Sequence, residues 1–398
     1  MSRPAHRVAP AVRRCPGGFV AVLLAALLSP AAPLIVRAQA PGATAAEAGS
    51  PAAQASAAPG APPAPAARAA VTAEPSTKIG VLVFGDYYYF ASDHAAAFDG
   101  QHGFWFRRLY LTVDHAFGAT LSARFRLEAN SNGKMTAPAT SITPYVKDAY
   151  VRWQFSGTHQ VILGIQPTAT VEFVETFSGL RYVEKVAVGL YRLDSSRDFG
   201  LGFSGPIDAG HRLHYVAQYG NDSGITSEID RYKSVRAAVR YETNPGLVAQ
   251  VAGGYQARAG RGSRSIIDAF VGYHNPAARA GVEYVRNIRR PAAGTADTAV
   301  DIDIFSGFGV WNVKPDKVSI FARVDHSTAN PDADGIDYLP IDRGSPFTMG
   351  LAGIEYFLLP SVRVSPNVEF VRYGPPKAGG SVTPKHDLVM RLSFYWSW

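Results

Sequence analysis

A chain of 398 residues with a formal net charge of +7 could hold two soluble domains or one large barrel. Five of its 39 basic residues, Arg3, Arg7, Arg13, Arg14 and Arg37, fall in an acid-free stretch of forty, leaving 34 against 32 acids elsewhere. That near-neutral remainder has no basic run or motif suited to a nucleic-acid partner. The only cysteine, Cys15, precedes the first apolar run, which excludes disulfides and thiolate metal sites from a mature chain.

Residues 1–40 read as a secretory signal peptide, with a basic start, an apolar core from Phe19 to Leu28 and the small-residue site Ala38-Gln39-Ala40. Pro30 and Pro33 interrupt the alternative, a single anchoring helix. Residues 41–77 are mostly alanine and proline and cannot bury an apolar face, so they are expected to form a disordered periplasmic segment. The remaining stretch, 78–398, contains no apolar run long enough for a membrane helix.

Sixteen strand candidates follow Lys78. Residues 119–130 put Leu121, Phe125 and Leu127 on one face and Arg124, Arg126 and Glu128 on the other. The same period of two sets Val151 and Trp153 against Asp148 and Arg152, Val235 and Val239 against Arg236 and Arg240, and Ile320 and Val324 against Arg323 and Asp325. The last stretch sets Leu388, Met390, Leu392, Phe394, Trp396 and Trp398 against Asp387, Val389, Arg391, Ser393, Tyr395 and Ser397. An aromatic apolar face at a chain end suits lipid better than water, because soluble termini fray into solvent.

The links alternate in length. Short ones at 117–119, 156–158, 205–211, 242–246, 275–277, 313–317 and 358–361 carry the turn residues Gly, Pro, Asn or Asp. Long ones lie at about 91–103, 130–144, 168–196, 220–231, 257–264, 287–299, 326–345 and 374–385. Eight hairpins with this alternation predict an all-β fold: a 16-stranded antiparallel transmembrane outer-membrane β-barrel with short periplasmic turns and long external loops.

Several short motifs resemble the phosphate-selective porin O and P family: Phe106-Arg107-Arg108, Asp148-Ala149-Tyr150-Val151, Leu163-Gly164-Ile165-Gln166-Pro167, Arg197-Asp198-Phe199-Gly200 and Ala322-Arg323-Val324-Asp325. Thr168-Ala169-Thr170 replaces the turn signal usual after the family's fifth-strand proline, so the resemblance is to a divergent member. It covers the chain from about Lys78 to Trp398 and implies a homotrimeric outer-membrane porin, embedded in outer-membrane lipid, that passes phosphate along arginine-lined walls. The aromatic closing strand is similar to the signal that such barrels present to the outer-membrane assembly machinery.

Read from the residues themselves, a catalytic alternative is an outer-membrane barrel hydrolase acting on lipid, which needs a nucleophile, a base and an orienting group in reach of one another. Asp325, His326 and Ser327 open a long link, and His211 and His214 fall at a short turn; a solvated histidine is the reading favoured for each, and no catalytic set is assigned. Asp332, Asp334 and Asp337 around Gly335 lack the pattern of a calcium loop, and Gly253-Gly254 and Gly260-Arg261-Gly262 lack the strand-to-helix context of a phosphate loop. Neither a cofactor nor a metal is assigned.

The remaining function is passage. A sixteen-stranded barrel is wide enough to need something inside it to set its aperture. Residues 168–196 form the longest link, and Phe173, Phe177, Leu180, Tyr182, Val186, Val188 and Leu190 make it too apolar for a solvated fringe. It is expected to pack on the inner wall as a constriction bearing Arg181, Lys185 and Arg192, with an external lid or trimer contact as the alternative. Arg108, Arg124, Arg126, Arg152, Arg236, Arg240, Arg323, Arg363 and Arg391 fall on the inward face and favour small anions. Inward Asp114, Glu128, Asp148, Glu283, Asp325, Glu369 and Asp387 oppose that field.

Overall fold

The computed structural model describes residues 74–398 except 132, 135–136, 139–140, 244–245, 259–261, 293, 295–298, 329–338, 343 and 377–381. Sixteen antiparallel strands close into one barrel. In chain order they are β1 (Ser76–Ser92), β2 (His102–Ala116), β3 (Leu121–Ala129), β4 (Tyr145–Ser156), β5 (His159–Pro167), β6 (Arg197–Pro206), β7 (Leu213–Gly220) and β8 (Ser234–Glu242). The second half is β9 (Leu247–Arg258), β10 (Gly262–His274), β11 (Ala278–Arg290), β12 (Val300–Lys314), β13 (Val318–Ser327), β14 (Phe347–Leu359), β15 (Val362–Tyr373) and β16 (Asp387–Ser397). Each strand pairs with its neighbours in sequence, and β1 pairs with β16 from Leu82–Ser397 to Ser92–Leu388 to close the ring. Closure leaves no edge strand, so the ladder groups find partners without water.

Exposure alternates along the strands as the sequence period requires. On β8, Ser234, Arg236 and Ala238 are buried while Val235, Ala237, Val239 and Tyr241 are exposed. On β16, Asp387, Val389, Arg391 and Ser393 are buried and Met390, Leu392 and Trp396 exposed. The first strand begins at Ser76, where Ser76 and Thr77 already pair with Ala116 and His115, two residues inside the stretch assigned to the periplasmic segment. The link expected at 257–264 is only three residues long, because β9 runs to Arg258 and β10 restarts at Gly262. Residues 1–73 and the acidic trio Asp332, Asp334 and Asp337 lie outside the described residues.

Residues 168–196 enter the lumen. Two short helices form there, α1 (Glu172–Ser178) and α2 (Ala187–Leu190). Glu172 and Glu175 in the first turn of α1 complement its dipole. Gly179 ends it in the left-handed region at φ 63°, a conformation costly for a residue with a Cβ. Val174, Val188, Leu190 and Leu193 pack with Ile266, Val285, Ile302, Ile304 and Met349 of the barrel wall in one apolar cluster. Burial of each such aliphatic side chain contributes about 1.5–3 kcal/mol, which offsets part of the entropic cost of ordering the loop.

Candidate functional site

The loop at 168–196 is tied to strands around the ring. Tyr191 donates to Asp325 of β13 at 2.7 Å, and Tyr182 donates to Glu355 of β14 at 3.0 Å. Asn287 of β11 donates to the Leu193 carbonyl at 3.0 Å. Asp194 accepts two hydrogen bonds from Arg236 of β8, both at 2.8 Å. Across the lumen, Arg107 of β2 pairs with Glu184 at 3.0 Å and donates to the Val183 carbonyl. The loop therefore spans the lumen from β2 to β13 and packs on the inner wall.

Two register irregularities shape the wall opposite the apolar cluster. Phe84 pairs with Arg108 and Gly85 with Phe106, so Arg107 is the extra residue of a bulge. A bulge re-aims side chains and lets consecutive residues share a face. Arg107 accordingly reaches Asp86, Glu184 and Glu369, while Arg108 binds Glu128 at 2.7 Å. On β4, Arg126 pairs with Asp148 and Leu127 with Val146, which makes Lys147 the extra residue. Lys147 reaches Glu128 at 3.1 Å and Asp148 reaches Arg126 at 3.2 Å, again from one face.

These bulges and the loop enclose a cavity of about 370 Å³. Arg108, Lys147, Arg181, Lys185, Arg192, Arg197 and Arg264 line it, against two carboxylates, Glu175 and Asp194. Adding Glu128, Asp148 and Glu172, which back this wall, still leaves seven cations to five carboxylates. Arg181 pairs with Glu175 at 2.9 Å and lies over the Phe84 ring. Burial, reinforced by the charges of Arg108 and Arg181, pushes the Lys185 amine well below its ordinary pKa. Burial opposes the charge of Asp194, but the Arg236 fork and Thr170 hold it below the usual carboxylate range. An anion entering here would relieve the crowding of positive charge that Lys185 feels.

Toward the short-turn rim, two further spaces of about 300 and 250 Å³ share Arg124, Tyr150 and Arg152. The Glu172–Arg197 ion pair, 3.1 Å long, stands between them and the upper cavity, since Arg197 lines the upper space and Glu172 the lower. The lower spaces also carry Arg240 and Lys78, so every one of the three holds more cations than carboxylates.

All nine inward arginines named from the sequence point to the lumen, but they do different things. Arg124 makes a two-point bond to Asp114 at 2.7 and 2.9 Å, Arg126 adds Thr112 at 2.8 Å, and Arg152 contacts the Tyr150 hydroxyl at 3.2 Å. Arg240 pairs with Glu242 and stacks on Phe173, and Arg363 pairs with Glu355. Arg236, Arg323 and Arg391 correct the expectation of a uniformly arginine-lined pore. They are buried and neutralised, by Asp194 and Asp198, by Asp325, and by Glu369 and Asp86, so they brace the wall and loop rather than line a passage. Sequence alternation alone does not single out Arg107, Lys147, Arg197 or Arg264. Arg107 and Arg197 sit in the quoted motifs, but the first two are aimed inward only by bulges that strict alternation hides.

Asp325, His326 and Ser327 are not assembled as a hydrolytic set. Asp325 and Ser327 are buried on the lumen face, while His326 is on the other face, bonded to Thr348 at 2.9 Å. His214 of β7 contacts only the His211 carbonyl among its described hydrogen-bond partners. Gly253 and Gly254 lie inside β9, where no phosphate loop forms.

The fold is that of the outer-membrane porins. An anion-selective porin from Comamonas acidovorans superimposes with a TM-score of 0.59 at 14% identity, covering 82% of this chain and 100% of that one. OmpF of Salmonella typhi, solved with daunomycin, gives 0.58 at 10%, covering 81% and 97%. The outer-membrane channel DcaP of Acinetobacter baumannii gives 0.56 at 10%, covering 82% and 98%. No protein-family model matches the sequence, and no curated protein matches it significantly.

Proposed function

We propose that the protein is a passive outer-membrane diffusion channel for small hydrophilic solutes, with a preference for anions set at the 370 Å³ cavity. The observation that carries this reading is the excess of cations over carboxylates facing that space. Guanidinium groups bind phosphate and carboxylate oxygens by two-point contacts, and the resemblance to the phosphate-selective family favours phosphate among the anions. In the same reading, residues 1–40 are removed on export, 41–77 form a periplasmic tether, and the barrel inserts through its closing strand and works as a trimer in lipid.

Planar-bilayer recording in a potassium chloride gradient tests it. The protein should give stepwise conductance with a reversal potential of anionic sign and no esterase turnover. The double variant Lys185→Glu, Arg192→Glu turns seven cations against two carboxylates into five against four, and should abolish the preference or change its sign. Cation preference in the unmodified channel would overturn the reading. Added phosphate should depress chloride current if phosphate is the favoured solute, and cross-linking in detergent should report the trimer.

A further inference from the structure

Away from the constriction, the long-loop rim holds a compact set of potential ligands at the seam where the first and last strands meet. Among the described residues, Asp93, His94 and Asp387 are the one group of histidine and carboxylate side chains with metal-ligand spacing, their ligand atoms all within 4.8 Å of one another. His94 Nδ1 is 3.1 Å from each oxygen of Asp387 and 3.4 Å from Asp93 Oδ1. Ligands 2.0–2.2 Å from a tetrahedral ion stand roughly 3.3 Å apart, so this spacing suits a site awaiting an ion at its centre. The equal distances to both Asp387 oxygens suit a carboxylate that faces such an ion symmetrically.

A second observation points the same way. The side chains of Asp93 and Asp387 are fully buried, and Asp93 Oδ2 has no hydrogen-bond partner. A buried carboxylate oxygen left unpaired is costly and asks for a cation. Around the trio lies a supporting set. Tyr373 donates to Asp387, the His94 amide donates to Asp387 at 2.6 Å, and Asp99 accepts the Asp93 amide at 2.7 Å while binding Lys385 at 2.8 Å. Such outer partners are what orient metal ligands.

We propose that Asp93, His94 and Asp387 hold a divalent first-row transition-metal ion of the zinc type, which fastens the loop between β1 and β2 to the closing strand at the barrel seam. One imidazole and two carboxylates favour zinc or its neighbours over calcium, which takes six to eight oxygen ligands. The loop so fastened carries Phe98, which is buried in the same apolar cluster as the constricting loop, so the ion would steady the mouth of the lumen as well as its rim.

Cobalt serves as the spectroscopic probe on untagged protein extracted in detergent and stripped with chelator. A saturable visible absorption band is expected at one ion per chain, displaced by zinc. His94→Ala and Asp93→Asn should remove it, and Tyr373→Phe, which takes away only an outer partner, should weaken binding about tenfold. Heat-modifiable mobility reports that each variant is folded. Should a variant fail to fold, the unmodified protein still decides: zinc should block carbethoxylation of His94, read by mass spectrometry. No saturable band, a band that survives His94→Ala, or zinc-independent carbethoxylation would overturn the proposal and leave His94 as an imidazolium bonded to Asp387.

Discussion

Along β10–β12 and β14–β16 the lumen face presents Ile266, Phe270, Val285, Ile302, Ile304, Met349, Val371 and Val389, all buried against one another or against the loop at 168–196. Along β1–β6 the same face presents Asp86, Arg107, Arg108, Glu128, Lys147, Asp148 and Arg197, joined in ion pairs around a cavity. One side of the barrel interior is mainly apolar, though Glu283, Glu355, Glu369 and Arg391 are also buried there, the other is mainly charged, and the loop at 168–196 has one face for each. The difference lies in backbone as much as in composition. β10 pairs with β11 and β11 with β12 without interruption, and β14 and β15 shift register only beside their turn, between Phe357 and Leu359, whereas the charged side is broken by bulges at Arg107 and Lys147. A regular strand gives the lumen every second residue; a bulge delivers two in succession, two cations at Arg107–Arg108 and a cation with an acid at Lys147–Asp148.

The largest expected effect comes from removing what joins the two sides. Deleting part of 172–192 while keeping the flanking strands should raise single-channel conductance several-fold and erase anion preference, because Arg181 and Lys185 leave with the loop. Unchanged conductance would mean that the loop does not set the aperture.

Next is Arg107, the extra residue of the β2 bulge. It is 1% exposed and faces Asp86, Glu184 and Glu369. Arg107→Ala removes the Glu184 ion pair and leaves Asp86 and Glu369 to Arg391, and breaking a buried pair in this way costs about 3–5 kcal/mol. Refolding yield and the temperature of the heat-modifiable shift should fall together. Arg107→Met, which keeps the stem's packing but not the charge, should fall nearly as far; full stability in that variant would mean that the guanidinium only fills space.

On the dry side Leu190 is 1% exposed within the apolar cluster. Leu190→Ala should cost about 2–5 kcal/mol through the cavity it leaves, measured by the same shift, while the reversal potential stays where it was. A change in selectivity without a loss of stability would undo the division of labour between the two sides.

How much of this was legible in the sequence follows the same division. Period-two alternation and turn residues specify the strands and the closed barrel, because every strand must separate a lipid face from a lumen face. Arg236 and Arg391 are inward by parity, but their partners Asp194, Asp198, Asp86 and Glu369 come from other elements, whereas Arg323 has its partner Asp325 on its own strand. Parity cannot tell a bracing arginine from a lining one. Val389 and Met349 face inward although apolar, since the loop supplies them with a dry partner that a strand-by-strand reading does not contain. Arg107 and Lys147 were lost because each adds one residue to the count on which parity depends.

The smallest effect is expected where the two sides meet. Arg240 of β8 lies 4.1 Å from the centre of the Phe173 ring and pairs with Glu242 at 2.5 Å. Phe173 in turn packs edge-on against Phe270 of the dry wall, so a lumen cation rests on the foot of the apolar plug. A cation over a ring contributes about 0.5–1 kcal/mol at a partly exposed site. Arg240→Gln should lose about that much and shift the reversal potential slightly, because it also removes one cation from the lower space. Arg240→Lys keeps the charge but not the flat guanidinium that stacks on the ring. It should retain the reversal potential while losing part of the stability. If both variants move the potential equally and neither moves stability, Arg240 belongs wholly to the charged side, and the loop is held by its apolar face alone.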